Sequence, residues 1–289
     1  MNRYIALQKI VEYRSFSKAA EALGYTQSAM SQMIASLEEE LSIKLLHRYR
    51  TGTKLTLEGA ELYPYIERTI YQYLSMKERA DEIKGLKTGV IRMGTLASIS
   101  AHWMPMLLKG FKEQYPDVEF IIHQGDYTSI QEWIKRGSVD FGFINPKAVN
   151  GLETQILKEG AMLAVLPLDH LLAQKETVSL ADLSSEPFIL LEEGHYYEPL
   201  EAFRKNGITP NIRYTIHDDY AIMTMVEAGL GVSILAELIL HRTNYRLALR
   251  PTDPPISRTI ALGYKDKQSL PMASRKFIEY MQSQIDFFP

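Results

Sequence analysis

The chain has 289 residues, 46% hydrophobic and 23% charged, with a formal net charge of −3 and no cysteine. These values exclude a disordered or collagen-like chain, leave room for two domains with cores of their own, and exclude disulfides, thiol nucleophiles, Cys-ligated zinc and thiol switches. Residues 1–60 hold 8 Lys/Arg and 6 Asp/Glu while the remaining 229 hold 24 and 29, a weak asymmetry that permits a DNA-binding head without demonstrating one.

Ile5, Ala6, Ile10 and Val11 recur at helical spacing, predicting a helix over 2–13. Ser15 or Ser17 caps a short second helix, Lys18 to Leu23, whose Ala19, Ala20 and Ala22 admit a close neighbour; Gly24 ends it. Thr26 caps a third helix from Gln27 to about Leu41. Helix, short turn with Gly, helix is the helix-turn-helix pattern. Met30, Ile34, Leu37 and Leu41 face the core by spacing, leaving Gln27, Ser28, Ser31 and Gln32 off that stripe near the N-terminal end. Such side chains reach base edges in the major groove, where Gln pairs with adenine and Ser donates or accepts. An ordinary solvated polar face has the same spacing. Glu38-Glu39-Glu40 reads as a solvated helix end.

Residues 44–56 read as two short strands around a Gly turn. Arg48, Arg50 and Lys54, with His47 and Tyr49 among them, suit a hairpin that touches phosphate. The run from Ser15 to Gly59 resembles the winged helix-turn-helix of LysR-type transcriptional regulators. The resemblance rests on Ser17-Lys18-Ala19-Ala20, Leu23, Thr26-Gln27-Ser28-Ala29, Ser31, Ile34, Leu37-Glu38, Leu41, Leu45, Arg48, Leu55-Thr56 and Gly59. The family commonly has Pro at Ser28, a basic residue at Gln32 and near Ala35 and Ser36, and an aromatic at Leu46. With fewer charges on the third helix, more of the phosphate attraction falls to the wing.

Thr56 caps a long helix running from Leu57 to about Leu86, with Glu58 in its first turn. Leu62, Ile66, Thr69, Tyr73, Met76, Ala80 and Ile83 alternate four and three residues apart, an a/d seam. The seam predicts dimerisation through Leu62, Ile66, Tyr73, Met76 and Ile83. The resemblance implies the same helix as linker and dimer element, and a homodimer that assembles further into a homotetramer.

From residue 90 the period changes. Strands at 90–95, 119–123 and 139–144 alternate with helices at 101–115 and 129–136, a βαβαβ unit with a parallel sheet. A second set has strands at 162–166, 188–191, 213–217 and 232–235, helices at 169–174, 198–205 and 219–228, a further strand at 258–264 and a helix within 270–287. Two α/β lobes predict a small-molecule cleft at strand C-termini and helix N-termini. Those positions hold Thr95, Ser98, Ile99, Ser100, Gln124, Tyr127, Thr128 and Asn145 on one side, and Glu193, Gly194, His195, Tyr196, His217, Asp218 and Tyr220 on the other. Hydroxyls and free N–H groups there suit a small organic anion, although Ser98, Ser100 and Thr128 also serve as plain N-caps. Glu193 beside His195 argues against a simple dianion.

Ile91-Arg92-Met93-Gly94, Leu107 to Tyr115-Pro116, Gly137 with Val139-Asp140-Phe141-Gly142-Phe143, and Val226 to Val232 are similar to the effector-binding domain of the same family, a fold shared with periplasmic solute-binding proteins. The resemblance implies effector contacts at Ser98, Ile99, Ser100, Thr128, Asn145, Gly194, His195 and Tyr196; His217 joins them from the cleft reading. Members that sense peroxide use cysteines, which this chain lacks.

The expected architecture is therefore α+β multidomain: a winged helix-turn-helix over 1–58, a linker helix over 59–88, and a two-lobed effector domain over 89–289. Lobe I takes about 89–160 and 266–289, and lobe II about 161–265. No cofactor is expected. The seven histidines show no metal-ligand spacing, and the glycines at 229 and 231 follow a helix and precede a strand, the reverse of a dinucleotide loop. The expected function is a ligand-responsive transcription regulator, not an enzyme, with promoter DNA, a small effector and its own copies as partners. MNRYIALQKI lacks the apolar run of a signal peptide and no apolar stretch is long enough for a span, so cytoplasm is the expected compartment. The competing reading is a solute-binding or enzymatic α/β protein with a helical extension, weakened by the absence of a catalytic constellation.

Overall fold

The computed structural model describes residues 1–49, 52–83 and 89–288. Within its long helix the side chains at 78, 79 and 81–83 lie outside the described set. The chain divides into an N-terminal unit, which includes the long helix, and an α/β unit.

The head packs α1 (Asn2–Tyr13), α2 (Phe16–Leu23) and α3 (Gln27–Leu41) around Ala6, Leu7, Ile10, Phe16, Ala19, Met30, Ile34 and Leu37. Ser15 is the residue that caps α2, accepting from the Lys18 N–H at 3.3 Å. Gly24 leaves that helix at φ 70°, a left-handed angle that glycine adopts at little cost. Thr26 accepts from the Ala29 N–H at 3.2 Å and starts α3. The hairpin follows as β1 (Leu46–Tyr49) and β2 (Gly52–Leu55), antiparallel, with His47 opposite Lys54 and Arg48 opposite Thr53.

Glu38 is not part of a solvated helix end. It is buried, and its carboxylate accepts the Leu45 and Leu46 backbone N–H groups at 2.8 and 3.3 Å and Lys44 Nζ at 2.7 Å. Burial works to raise its pKa; the Lys44 and backbone bonds outweigh it and hold the carboxyl below its ordinary value. This one side chain fastens α3 to the start of the wing.

The long helix α4 (Leu57–Ile83) begins where Thr56 accepts the Gly59 N–H at 2.8 Å and donates to the Lys44 carbonyl at 2.6 Å. Its predicted seam is divided. Ile66 and Ile70 are buried in the head's own core, with Leu62, Tyr63 and Leu74 packed against it. Ile66 therefore packs into the head of its own chain. A helix turns about 100° per residue, which puts Leu57 opposite Ile66 and Tyr65 and Met76 together on one flank; the three are 88%, 63% and 60% exposed. Tyr73 is half-buried, and the side chain of Ile83 lies outside the described residues.

The α/β unit begins with β3 (Gly89–Thr95), α5 (Ala97–His102), α6 (Met104–Gln114), β4 (Val118–Gln124), α7 (Tyr127–Arg136) and β5 (Phe141–Ile144). β3 lies parallel to both β4 and β5, as the βαβαβ reading requires. Then come β6 (Glu153–Pro167), β7 (Val178–Ser179), α8 (Leu180–Ser185), β8 (Phe188–Leu191), α9 (Glu198–Lys205), β9 (Ile212–Ile216), α10 (Asp219–Glu227), β10 (Ser233–Ala236), α11 (Glu237–Leu240), β11 (Leu247–Tyr264) and α12 (Met272–Gln284). The main sheet has the order β10-β6-β11-β5-β3-β4, with β7 beside β11, and β8 pairs in parallel with β9.

Two cores separate the lobes, one around Trp103, Phe111, Phe141, Phe143 and Phe277, the other around Val165, Phe188, Phe203, Ile222 and Ile234. β6 and β11 pair along nearly their whole lengths and serve both. Ile256 belongs to the core of lobe II and Ile260 to that of lobe I. The chain thus returns to lobe I inside β11, ahead of the expected boundary at 265, because a continuous strand crosses where no turn marks the passage.

Gly59 sits where a Cβ would lie 2.3 Å from the Leu45 carbonyl oxygen, a backbone atom that cannot step aside alone. Gly59→Ala is expected to destabilise the head by about 1–3 kcal/mol through overpacking, read as a lowered midpoint in denaturant unfolding. An unchanged midpoint would show that the wing start tolerates displacement.

Candidate DNA-reading surface and effector cleft

At the N-terminal end of α3 the polar side chains form a chain of contacts. Gln27 Nε2 donates to Ser31 Oγ at 3.3 Å, and Arg48 donates to the same oxygen at 3.2 Å. Ser28 and Thr26 hydroxyls lie 3.0 Å apart. Gln32 is exposed and makes no side-chain hydrogen bond among the described residues. Arg48 also lies over the Phe16 ring, 3.9 Å from its centroid. Its guanidinium thus ties wing, second helix and third helix together. Lys54 is exposed on the other face of the hairpin with His47 and Tyr49. Arg50, expected to hold phosphate, lies outside the described residues.

In the α/β unit, Arg258 on β11 lies buried at 4% exposure where the lobes meet. Its Nε donates to the Tyr127 hydroxyl at 2.7 Å, and its terminal nitrogens donate to Ser98 Oγ and Glu193 Oε1, each at 3.2 Å. Tyr127 OH donates to Glu198 Oε1 at 3.0 Å, and Asn145 Nδ2 donates to the same oxygen at 2.8 Å. Tyr127, Ser98 and Asn145 come from lobe I, and Glu193 and Glu198 from lobe II. A second bond between the lobes runs from the His195 N–H to Thr128 Oγ1 at 3.0 Å. Gly194 makes this approach possible: its φ is 82°, and a Cβ there would lie 2.3 Å from that same Thr128 oxygen.

Beside this network is a cavity of about 200 Å³ lined by Ala97, Gln124, Gly125, Asp126, Leu191, Glu192, Glu193, His217 and Asp219. His217 Nε2 lies 3.2 Å from Glu192. Burial drives the Glu193 carboxyl up to about 7; Arg258 opposes this, and Glu198, Asp219 and Asp126 add to it. Burial also raises Asp219, again against Arg258. Of two larger cavities elsewhere in the unit, that of about 590 Å³ contains none of the residues expected at the cleft, and that of about 680 Å³ contains only Tyr220 among them.

Residues 1–60 match the family model of the bacterial regulatory helix-turn-helix protein, lysR family, and residues 84–286 match that of the LysR substrate binding domain. The chain belongs to the LysR family of transcriptional regulators. It is 32% identical over 274 residues to the uncharacterized HTH-type transcriptional regulator YvbU of Bacillus subtilis (strain 168), covering 94% of each chain. It resembles a full-length OxyR variant from Pseudomonas aeruginosa in fold, with a TM-score of 0.74 at 22% identity over 99% of this chain and 93% of that one. CbnR complexed with its target DNA gives a TM-score of 0.70 at 19% identity over 97% of each. The family is one of regulators, not enzymes, and no described helix is long and apolar enough to cross a membrane.

The LysR-family effector domain distributes the expected contacts unevenly. His217 lines the cavity. Ser98 and Asn145 are buried in the Arg258 network below it, while Thr128, Gly194 and His195 bridge the lobes directly. Tyr196 is half-buried against Tyr127, at 6.4 Å between ring centroids. Ser100 donates to Thr95 Oγ1 at 3.4 Å. Ile99 is fully buried in the core of lobe I and does not reach the cleft. Sequence reasoning missed Arg258, Glu198 and Asp219. The lining also differs from what hydroxyl-bearing helix starts suggest, because carboxylates outnumber every other polar group.

Two measurements probe these sites. Arg48→Lys keeps the charge and loses the planar stack and the fork to Ser31. It is expected to weaken binding to every duplex while leaving the salt dependence of affinity unchanged; full recovery of affinity would reduce Arg48 to a phosphate contact. In the cleft, folded Glu193 holds its proton up to about 7 against 4.5 for the ordinary carboxyl. Between those values the folded protein binds more protons than the unfolded chain, so this group's contribution to stability declines as pH rises through that window. Glu193→Gln is expected to flatten the dependence of thermal stability over that range; an unaltered slope would assign it to other groups.

Proposed function

We propose that α3 reads base edges through Gln27, Ser28, Ser31 and Gln32, and that the wing holds phosphates through Arg48, Arg50 and Lys54. The observation that carries this reading is the polar N-terminal end of α3 beside a basic hairpin, with Gln32 exposed and uncommitted. Gln27 and Ser31 are linked to Arg48, so they present donors and acceptors in a fixed arrangement. Arg48 has a double role, positioning the wing and facing the backbone.

The exposed face of α4, with Leu57, Tyr65 and Met76, is the surface we assign to a second copy. Of the seam residues, Met76 and half-buried Tyr73 and Leu62 remain available to it, whereas Ile66 serves the head. A dimer places two recognition helices on successive major grooves of a pseudo-palindrome, and a homotetramer is its doubling. A small-molecule effector seated between the lobes adjusts promoter binding or activation, with Ser98, Thr128, Asn145, Gly194, His195 and Tyr196 holding the lobes in register around it. The cytoplasm is the compartment where such a regulator meets DNA.

Fluorescence anisotropy with the duplex upstream of the protein's own gene tests this at several salt concentrations. The native duplex is expected to bind far more tightly than a scrambled one, with affinity falling steeply as salt rises. Gln32→Ala is expected to change the base preference. Equal weak binding to both duplexes would remove sequence reading from this head.

A further inference from the structure

Among the described residues, the floor of the cleft has one permanent cation and an excess of carboxylates. Each nitrogen of the Arg258 guanidinium already donates, to Tyr127, Ser98 and Glu193. Glu198 is also buried, at 4% exposure, and takes only neutral donors on Oε1. Two enclosed oxygens are left over: Glu193 Oε2 and Glu198 Oε2 have no hydrogen-bond partner among the described residues. An enclosed carboxylate oxygen without a donor is costly, on the order of 1–3 kcal/mol or more. Asp126 is taken up by the backbone N–H and hydroxyl of Ser129, at 2.8 and 3.1 Å. Glu192 faces His217. Asp219 completes the acidic lining.

We infer that the cleft takes a short-chain molecule bearing a protonated amine, its ammonium group held by Glu193 and Asp219 of lobe II with Asp126 facing it from lobe I. The inference rests on the reading of this cleft as the effector site and supplies the charge of the occupant. An ammonium brings three donors and no acceptor, matching a lining whose one enclosed oxygen without a partner among the described residues, Glu193 Oε2, is an acceptor. An anion would enter among Asp126, Glu192, Glu193 and Asp219, with His217, 3.2 Å from Glu192, as the only basic side chain among the described residues of the wall. A bound metal ion fits poorly: among the described residues no group of three or more His, Asp or Glu side chains is placed to hold one. Ala97 and Leu191 supply apolar wall for a short alkyl part, and about 200 Å³ admits only a small molecule.

The test titrates the full-length protein with butylammonium chloride by calorimetry at about pH 8, above the value near 7 at which Glu193 releases its proton, with sodium butyrate and sodium chloride at matched ionic strength as controls. Butylammonium is expected to bind saturably and butyrate not at all. Asp219→Asn and Glu193→Gln are each expected to weaken that binding about tenfold or more, as the loss of a charge-assisted bond implies, with cooperative thermal unfolding retained. Where a variant does not fold, magnetisation transfer from bound butylammonium to the methyl groups of Ala97 and Leu191 in the wild-type chain reads the same contact. Binding of butyrate in preference, no saturable amine binding, or amine binding untouched by both folded variants and giving no transfer to those methyls overturns the inference. Duplex affinity is read separately. Specific DNA binding without amine binding overturns the amine site alone, while amine binding that leaves duplex affinity unmoved supports the site and counts against control through it.

Discussion

A single guanidinium organises the effector domain. Arg258 lies on the strand that serves both lobes, and its donors reach Ser98 and Tyr127 on one side and Glu193 on the other. A buried ion pair contributes little net stability, because desolvation offsets the attraction. Its effect is geometric: the arginine has donors fixed in a plane, so lobe I and lobe II satisfy it together only at particular separations. Tyr127 passes the constraint onward to Glu198, and Asn145 meets the same oxygen. Removing one partner exposes the rest to the full cost of unpaired burial.

The head follows the same logic with different groups. A small three-helix cluster leaves little area with which to fix a hairpin. The hairpin is instead fastened by polar groups. Glu38 gathers two backbone N–H groups at its start, Thr56 bonds back to Lys44, and Arg48 rests on Phe16 while reaching Ser31. Each of these contacts joins two different segments of the head, from seven residues apart at Glu38 and Leu45 to seventeen at Ser31 and Arg48 among the hydrogen bonds. They place the wing relative to α3, and the relative placement of a reading helix and its wing is the geometry that sequence reading by a winged head depends on.

Much of this is legible in the chain. The first and third helices, the wing, and the alternation of strands and helices after residue 89 carry local signals: apolar spacing, caps at Thr26 and Thr56, and Gly24 at a turn. What is not legible is set by tertiary contact. Glu38 in a run of three glutamates has no local mark of burial. Ile66 satisfies both the a/d spacing of a dimer seam and the burial of the head's own core, and spacing cannot say which neighbour claims it. Arg258 stands 131 residues from Tyr127 and 65 from Glu193, so no motif joins them. β11 is legible only from residue 258 onward because Pro251, Pro254 and Pro255 interrupt its alternation, although its N-terminal half pairs with β6 across that break.

The charge of the cleft bears on how occupancy moves the lobes. Asp126 of lobe I and Glu193 of lobe II line one cavity and repel, which favours separation, while Arg258 and the Thr128–His195 bond favour approach. A ligand shifts such a balance only by the difference in its affinity for the two arrangements. An ammonium group gains most where carboxylates from both lobes converge on it and loses that gain when they part, so its binding energy is unequal by construction. A neutral ligand filling the same space has no such dependence on lobe separation beyond contact. The carboxylates that are costly to enclose are thus the groups that would make occupation of the cleft informative, and the one fixed cation at the strand crossing keeps the lobes close enough for the difference to be felt.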